Sequence, residues 1–334
     1  MIQEHFSLRN LNSFGIDCYC SKYVELTNPN QLQEISKLLK SGEPYLILGG
    51  GSNILFTTDF TGIVIHNKLK GISIAHTGSH PTVTASAGEN WHHLVQFCIE
   101  HNLAGIENLS LIPGTVGAAP IQNIGAYGVE LKEVFKSLVA WNIGEARMEE
   151  IDNKACNFGY RNSIFKNQAK NKYIIVSVTL QLSHTSKVTT HYGAIESELK
   201  KRNFTEPTIK NISDIVIGIR QSKLPDPAVI GNAGSFFKNP EIEKSHFEKL
   251  KESFPNIVGY PAGSKIKCAA GWLIEQCGYK GKRIGNAGCH KDQALVLVNL
   301  GGATGSEVLH LSTQIIVSVK SKFDIELERE VNII

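Results

Sequence analysis

The chain has 334 residues, 42% of them hydrophobic and 19% charged, and a formal net charge of +3 at pH 7. That length predicts two or three domains, and the small charge, without basic clusters interleaved with aromatics, argues against a nucleic-acid surface. The start shows no charged stub before an apolar run, and no apolar stretch approaches the ~20 residues of a membrane helix, so we expect a cytoplasmic protein.

Apolar residues recur at helical or alternating spacing along most of the chain. The predicted helices cover, in chain order, residues 30–40, 91–99, 193–201, 213–223, 241–252, 267–277 and 304–322. The predicted strands cover residues 45–48, 62–65, 82–87, 133–141, 173–182, 294–300 and 327–331. Thr304 and Glu307 are spaced as a capping box at the start of the last helix. Two prolines in residues 224–227 break the preceding helix, which predicts a domain boundary.

Cysteine and histidine positions give no metal-site pattern. The seven cysteines are odd in number and irregularly spaced, which predicts buried reduced thiols and not disulfides or zinc ligands. The adjacent His92 and His93 lie on a predicted helix and therefore point in different directions. The sequence predicts no metal centre.

A glycine cluster follows the first predicted strand, and it consists of Gly49, Gly50, Gly51, Ser52 and Asn53. Glycines leave backbone amides unshielded and permit close approach, so this loop can wrap a pyrophosphate. Its spacing matches neither the P-loop nor the GxGxxG fingerprint. A tight strand-to-strand turn is the alternative.

Residues 110–128, SLIPGTVGAAPIQNIGAYG, contain four glycines, two prolines and no charge. A solvated linker is normally polar, so we expect this loop to lie against something flat or buried, such as a bound cofactor. Gln122 and Asn123 offer amide hydrogen bonds to a heterocycle. A structural loop that closes a domain is the alternative.

Two further segments suggest chemistry. FGYRNSIFK, residues 158–166, places Arg161 beside aromatics, where its planar fork can clamp a carboxylate. GNAGSFFKNP, residues 231–240, sets Ser235 among small and aromatic residues that allow close approach and exclude water. Taken alone, an arginine of this kind is more commonly a surface residue paired with a glutamate. Ser235 taken alone is equally read as part of a glycine-rich turn.

These segments, with KLPDP (223–227), AAGWLIEQCGYKG (269–281) and LEREV (327–331), resemble the UDP-N-acetylenolpyruvoylglucosamine reductase family, the MurB flavoenzymes of peptidoglycan synthesis. The likeness runs in family order from about Phe14 to the C-terminus. It implies an α+β protein with a two-subdomain FAD-binding module of the vanillyl-alcohol oxidase (PCMH) type, residues 1–68 and 69–222, and a mobile loop near 184–206. It also implies a C-terminal α+β substrate-binding domain, residues 223–334, whose C-terminal strand carries the catalytic glutamate.

The resemblance implies non-covalent FAD, NADPH as the reductant, and UDP-N-acetylglucosamine enolpyruvate as the substrate of a monomer that binds neither nucleic acid nor membrane. It makes Ser235 the proton donor to C2 after hydride reaches C3. Because a serine hydroxyl is a weak acid, this step needs help from neighbours such as Lys238 or Asn239, or from the basicity of the carbanion itself. It makes Arg161 and Glu330 the residues that hold the substrate carboxylate and stabilise the enolate-like intermediate. Phe236 and Phe237 are candidates for shielding the flavin edge.

The implied binding residues follow from matching motifs. Substrate contacts fall on Tyr160, Tyr192, Lys223, Asn239, Lys280 and Gln293. FAD contacts fall on Gly49, Gly50, Gly51, Ser52, Asn53, Ile54, Ser110, Pro113, Gly114, Thr115, Gly117, Ala118, Gln122, Asn123, Gly125, Tyr127 and Gly128. Tyr192 matches the loop tyrosine of the type I branch, in which a loop closes on the nucleotide.

Two departures and two other functions stay open. Arg329 stands where the family often has proline, so it can alter the local strand or add a charge beside Glu330. Ala118 and Ala119 occupy positions where hydroxyl residues occur among relatives, which puts a flavin hydrogen bond there in doubt. The other functions are an oxygen-using flavin oxidase on the same scaffold and a non-catalytic sugar-nucleotide binding protein. Ser235 and Arg161 and the lack of a covalent flavin motif favour the reductase.

Overall fold

The structure is a computed structural model that describes residues 2–76, 80–184 and 188–334. These residues form two compact units. The N-terminal unit holds the described parts of residues 1–6, 20–50 and 61–222, and the C-terminal unit holds residues 7–19, 51–60 and 223–334. The predicted division into three domains stays a prediction. Residues 185–187 of the predicted mobile loop lie outside the described residues.

The first sheet of the N-terminal unit has four strands, in the spatial order Gln3–Ser7, Tyr19–Leu26, Phe60–Asn67 and Tyr45–Leu48. The last two are parallel, so the chain must cross over between them, and the glycine cluster starts that crossover. The helix Leu32–Leu39 buries Leu32, Ile35 and Leu39 in one core cluster with the sheet, because their spacing places them on one helix face.

The second sheet of this unit is antiparallel, in the order Arg147–Asp152, Phe135–Asn142, Tyr173–Gln181, Thr82–Ser86 and Ile72–Ala75. The helix Trp91–Glu100 begins at Asn90, whose side chain accepts a hydrogen bond from His93 N, and it contributes its apolar face to the core around this sheet. This unit also contains the short helix Asn153–Cys156, the strand pair Gly125–Ala126 and Val129–Glu130, and the helices Gly193–Lys201 and Ile209–Lys223. Its 3-10 helices include Val116–Gln122, within the uncharged loop.

The C-terminal unit contains three sheets. An antiparallel sheet has the order Gly231–Ser235, Val296–Asn299, Ala287–Cys289 and Arg283–Ile284. A second has the order Glu241–Glu243, Lys265–Cys268 and Gly259–Ala262, and Ile54–Leu55 pairs in parallel with Asn332–Ile333. The helices are Lys244–Ser253, Ala270–Gln276 and Gly305–Phe323. An aromatic cluster of Phe254, Trp272 and Phe323 joins them.

Two predicted helices begin later than their periodicity indicates. Residues 241–243 and 265–268 form paired strands, and the helices start at Lys244 and Ala270. Glu241 lies opposite Lys267 with their charged atoms 3.4 Å apart. This pairing joins residues 26 positions apart, and such tertiary pairing overrides the local helical pattern.

The predicted strand over residues 327–331 is wrong, and Glu330 lies outside regular strand structure. Phe237 and Arg329 form one isolated bridge, after which the chain changes partner and pairs Asn332 with Ile54. Neither partner faces enough consecutive residues to build a ladder through Glu330.

All seven cysteines are free thiols, and six of them are buried, as predicted. Burial raises the pKa of Cys98 and of Cys156 to about 12, so both stay protonated at neutral pH. Among the described residues, no His, Cys, Asp or Glu cluster is placed to hold a metal ion. Within the same residues, no helix is long and apolar enough to cross a bilayer.

The capping box at the start of the last long helix gives a stability prediction. Thr304 Oγ1 accepts a hydrogen bond from Glu307 N at 3.2 Å, and Glu307 Oε2 accepts one from Thr304 N at 2.8 Å. Thr304→Ala should lower the free energy of unfolding by about 1 kcal/mol, measured by urea denaturation followed by circular dichroism. Thr304→Ser keeps the acceptor and should cost much less; equal losses in the two variants would contradict a capping role.

Candidate active site

Ser235 is presented by an irregularity at the end of a strand. The strand Gly231–Ser235 pairs with Val296–Asn299, and its register shifts between Asn232 and Ser235. Gly234 has φ +68°, a left-handed conformation that glycine adopts without strain. Such bulges turn the following side chain away from the regular alternation of a strand. Ser235 is half-buried as a result of this local geometry.

Ser235 and Glu330 come from segments that are hydrogen-bonded to each other. Glu330 N donates to Phe236 O at 2.8 Å, and Lys238 N donates to Glu328 O at 2.9 Å. Asn53 Nδ2 donates to Glu330 O at 3.3 Å. The C-terminal unit therefore fixes the backbones of both predicted catalytic residues to one another and to the end of the glycine cluster.

The neighbours of Ser235 are already engaged within the protein. Phe236 and Phe237 are buried in the core of the unit, with ring centroids 5.3 Å apart. The ammonium group of Lys238 forms an ion pair with Glu328 and not with Ser235. Asn239 Oδ1 accepts a hydrogen bond from Ala270 N at 2.9 Å, at the start of the helix Ala270–Gln276. This bond fixes the Asn239 side chain while leaving its amide group as a donor.

Two other predicted substrate residues of this unit, Gln293 and Lys280, lie near the same helix. Gln293 Oε1 accepts from Leu295 N at 3.2 Å, and a Cβ on Gly271 would lie 3.1 Å from that oxygen. Lys280 forms a 2.9 Å ion pair with Glu275 and keeps an exposed ammonium group. Lys223 is exposed at the end of the helix Ile209–Lys223.

Arg329, the departure beside Glu330, binds the last long helix. Its Nε donates to Ser312 Oγ at 2.8 Å, and its Nη2 donates to Thr313 Oγ1 at 2.7 Å. Burial lowers the pKa of its guanidinium. The Arg329 guanidinium is therefore bound to hydroxyl groups of the helix. The backbone hydrogen bond from Glu330 N to Phe236 O still forms at the next residue.

Each unit contains part of the glycine cluster and packs it too closely for side chains. In the N-terminal unit, a Cβ on Gly49 would lie 2.4 Å from Thr115 Oγ1, and one on Gly50 would lie 3.1 Å from Gly114 Cα. In the C-terminal unit, Gly51 has φ +60° and a Cβ there would lie 1.9 Å from Leu11 O. The glycines are thus required by close backbone packing.

The uncharged loop of the N-terminal unit contains strained backbone. Leu111, Asn123 and Tyr127 have φ values of +58°, +44° and +51°. Non-glycine residues adopt this region at a cost, and they do so where the surroundings hold them, often at functional sites. Leu111 is held on both sides, since its N donates to His92 Nδ1 at 3.0 Å and its O accepts from Arg220 Nε at 3.2 Å.

Two side chains that were expected to contact the cofactor form hydrogen bonds within the protein. Asn123 Nδ2 donates to Glu130 Oε2 and to Gly159 O at 3.0 and 3.1 Å, so both amide hydrogens are engaged. Ser110 Oγ donates to Glu107 O at 2.7 Å and lies 2.8 Å from Ser213 Oγ. Asn123 and Ser110 therefore shape the loop through their side chains.

Arg161 lies in a tight turn of the same unit. Its φ of +51° is strained, and the adjacent residues 159 and 162 form a bridge that closes the turn. Its Nη2 donates to Gly125 O at 2.8 Å, and its guanidinium carbon lies 5.6 Å from the Tyr160 ring centroid. The turn thus directs the planar guanidinium toward the uncharged loop.

Sequence reasoning missed Arg220, which lies on the helix Ile209–Lys223 outside any motif. Besides donating to Leu111 O, its guanidinium interacts electrostatically with Tyr127, and burial lowers the pKa of the guanidinium. Burial also raises the pKa of Tyr127, whose ring meets Tyr192 edge to face at 5.3 Å. In the sequence, Arg220 is one arginine on a predicted helix, so no local pattern marked it.

The residues of the N-terminal unit fit a flavin dinucleotide. Glycine backbone at residues 49, 50 and 114 packs without side chains, and Arg161 and Arg220 bring two positive charges to an otherwise uncharged loop. Asn108 Oδ1 is buried without a hydrogen-bond partner among the described residues, although Nδ2 donates to Tyr127 O and Thr189 O. A buried acceptor without a donor is what a bound NH-bearing ring relieves.

Comparisons with known proteins agree with this reading. The family profile described as "FAD binding domain" matches residues 20–143, and that of "UDP-N-acetylenolpyruvoylglucosamine reductase, C-terminal domain" matches residues 226–334. Curated reductases of that name from Flavobacterium johnsoniae and Pseudomonas aeruginosa are 49% and 46% identical, covering 100% and 99% of this chain and 99% and 98% of their own. The crystal structure of MurB from Thermus caldophilus shares the fold, with a TM-score of 0.69 at 22% identity over 100% of this chain and 99% of its own.

A chain that joins an FAD-binding domain to this C-terminal domain is an FAD-dependent oxidoreductase with an α+β fold, as predicted from its motifs. At 49% identity over its full length, it belongs to the UDP-N-acetylenolpyruvoylglucosamine reductase family. The family resemblance and the FAD cofactor inferred from the sequence are thereby confirmed.

The contacts of Arg329 predict that it stabilises the fold and does not act on the reaction. Arg329→Met keeps the aliphatic stem and removes two hydrogen bonds, so the free energy of unfolding in urea should fall by about 1–3 kcal/mol. The kcat of the folded variant should stay close to that of the wild type. Glu328→Gln, which alters the exposed ion pair with Lys238, is the control and should change stability little. A large fall in kcat without loss of stability would show that the Arg329 charge acts on the reaction.

Proposed function

We propose that this chain catalyses the NADPH-dependent reduction of UDP-N-acetylglucosamine enolpyruvate to UDP-N-acetylmuramate through bound FAD, in peptidoglycan precursor synthesis. The proposal assigns proton donation to Ser235 and stabilisation of the intermediate to Glu330 and Arg161. The observation that supports the roles of Ser235 and Glu330 is the backbone pairing of their segments, with Glu330 N donating to Phe236 O at 2.8 Å.

The glycine cluster and the uncharged loop would hold FAD, the former at the diphosphate and the latter along the flavin. When bound, FAD supplies hydride transfer between NADPH and the enolpyruvyl group. The part of this chain is to bind and orient that cofactor. Close packing of Gly50 on Gly114 supports the assignment because it leaves backbone without side chains there. The strained backbone at Leu111 supports it because that backbone is held in one conformation.

Addition of hydride to C3 leaves an electron pair at C2, delocalised into the neighbouring carboxylate. A guanidinium and a hydrogen-bonding acid stabilise this state if both act where the charge develops, which suits Arg161 and Glu330. Ser235 Oγ then gives its proton to C2, forming the C–H bond, and the serine regains a proton from solvent. A serine hydroxyl is a weak acid, so the basicity of the carbanion drives this step.

The remaining contacts are assigned to substrate recognition. Lys223 and Lys280 carry exposed ammonium groups that suit a diphosphate as point charges. Asn239 and Gln293 are held by backbone hydrogen bonds, which orients their amides. Tyr160 and Tyr192 offer aromatic faces and phenols, and Tyr192 supports assignment to the type I branch.

The proposal also keeps three expectations of the sequence. They are a cytoplasmic location, a monomer, and a division into two FAD-binding subdomains and one substrate domain at residues 68 and 222. Size-exclusion chromatography coupled to light scattering tests the monomer directly.

The two half-reactions give the sharpest test of the Ser235 assignment. Wild-type protein should be yellow, bleach anaerobically with NADPH, and regain colour with the enolpyruvyl sugar nucleotide. In Ser235→Ala, stopped-flow absorbance should show unchanged bleaching and a recolouring rate lowered by at least about 100-fold, because the serine serves only the second half-reaction. Ser306→Ala removes an exposed hydroxyl of the same unit and should leave both rates unchanged.

Other outcomes identify other functions. Equal slowing of both half-reactions in Ser235→Ala would show that the serine is assigned wrongly. Recolouring only by oxygen would indicate an oxidase. A colourless protein that also fails to take up FAD, yet binds the sugar nucleotide, would be a binding protein.

A further inference from the structure

The bulge that presents Ser235 depends on one buried side chain, that of Asn232. Asn232 is 2% exposed and lies three positions before the serine. Its Oδ1 accepts a hydrogen bond from Gly234 N at 2.9 Å, which closes a local turn over the shifted register. Gly234 itself is left-handed, so this acceptor stabilises the backbone conformation directly before Ser235.

The amide nitrogen of Asn232 ties the bulge to a second segment. Nδ2 donates to Ile230 O at 2.8 Å and to Pro225 O at 3.1 Å. Pro225 lies in the turn two positions after Lys223, the proposed diphosphate contact. Both amide hydrogens and the carbonyl oxygen of Asn232 are therefore used, and together they connect the Lys223 turn to the Ser235 bulge.

Other features of the molecule support a functional inference less well than the Asn232 hydrogen bonds do. A cavity of about 950 Å³ in the C-terminal unit, bordered by Arg9, Asp59 and Leu300, has nothing that indicates its occupant. The buried cysteines form no disulfide. The Asn232 network is fully bonded, and it ends beside two residues to which the reaction is assigned.

We propose that Asn232 is a positioning residue that sets the direction of the Ser235 hydroxyl and couples it to the Lys223 turn. The inference rests on the proposed function, since it needs Ser235 as the proton donor. Asn232 does not touch the reacting atoms. It acts through the backbone at Gly234, where a displacement of about 1 Å can cost a reaction on the order of 100-fold.

Asn232→Asp is the test, because it keeps an acceptor for Gly234 N and the side-chain shape while removing both donors to carbonyl oxygens. Flavin bleaching by NADPH should be unchanged in stopped-flow absorbance. Recolouring by the enolpyruvyl sugar nucleotide should slow by about 10- to 100-fold. Its H2O/D2O rate ratio should rise above that of the wild type, because misplaced proton donation becomes rate-limiting. The KM for the sugar nucleotide should rise as well, through the Lys223 turn.

Asn299→Asp is the matched control in the neighbouring strand. Asn299 Oδ1 accepts from Gly301 N and Ala303 N, each at 2.9 Å, and Nδ2 donates to Phe14 O at 2.9 Å. It is thus also an asparagine bonded to backbone through both side-chain atoms, and it lies opposite Gly231, at the end of the strand away from Ser235. This control should leave both half-reactions and the isotope ratio unchanged.

If Asn232→Asp yields no folded protein, Gly234→Ala replaces it. A Cβ there has room but is strained at φ +68°, whereas Gly234→Asn tolerates that φ. Selective slowing should appear in the alanine variant and be weaker in the asparagine variant.

Several results would overturn the inference. They are equal slowing of both half-reactions, slower recolouring with an unchanged isotope ratio, or the same behaviour in Asn299→Asp. Normal recolouring in Asn232→Asp, while Ser235→Ala loses it, would reject the Asn232 role and leave the proposed function standing. Normal recolouring in Ser235→Ala would reject the proposed function itself.

Discussion

The hydrogen bond from Glu330 N to Phe236 O is the constraint on which the C-terminal half of the site depends. It joins residues 94 positions apart and fixes the backbone of the proposed acid one residue from that of the proposed proton donor. Asn53 then binds Glu330 O, so the glycine cluster is tied to the same point. Precise placement of this kind suits a reaction in which charge develops and is quenched within one small group of atoms.

Sequence patterns predicted the regular parts of the fold because those parts depend on local periodicity. The capped helix Gly305–Phe323 and the strand Tyr45–Leu48 follow directly from apolar spacing and end signals. Residues 241–243 and 327–331 could not be predicted in this way. Their structure depends on partners distant in sequence, Lys267 for the first and Phe237 and Ile54 for the second, and no local pattern encodes those pairings.

The site divides in the same manner. Ser235 and Arg161 stand in motifs, so a family resemblance identified them. Arg220 and Asn232 were not singled out, because an arginine on a helix and an asparagine after a glycine are ordinary in sequence. Their importance lies in what they bond: Arg220 Nε donates to Leu111 O, and Asn232 Oδ1 accepts from Gly234 N. Residues that position other residues are recognised from their hydrogen bonds in the structure, and not from a sequence motif.

Strain in the N-terminal unit explains why so many buried side chains there bond to backbone. Leu111, Asn123, Tyr127 and Arg161 all have positive φ, and each such residue costs on the order of 1 kcal/mol. His92 and Arg220 hold Leu111, and the Asn123 side chain bonds to Glu130, Lys132 and Gly159. His92 must accept the Leu111 proton at Nδ1, so it is neutral there, and burial lowers its pKa accordingly. The hydrogen bonds hold this strained loop in one conformation. It is therefore suited to binding a rigid, planar ligand, because little conformational entropy remains to be lost on binding.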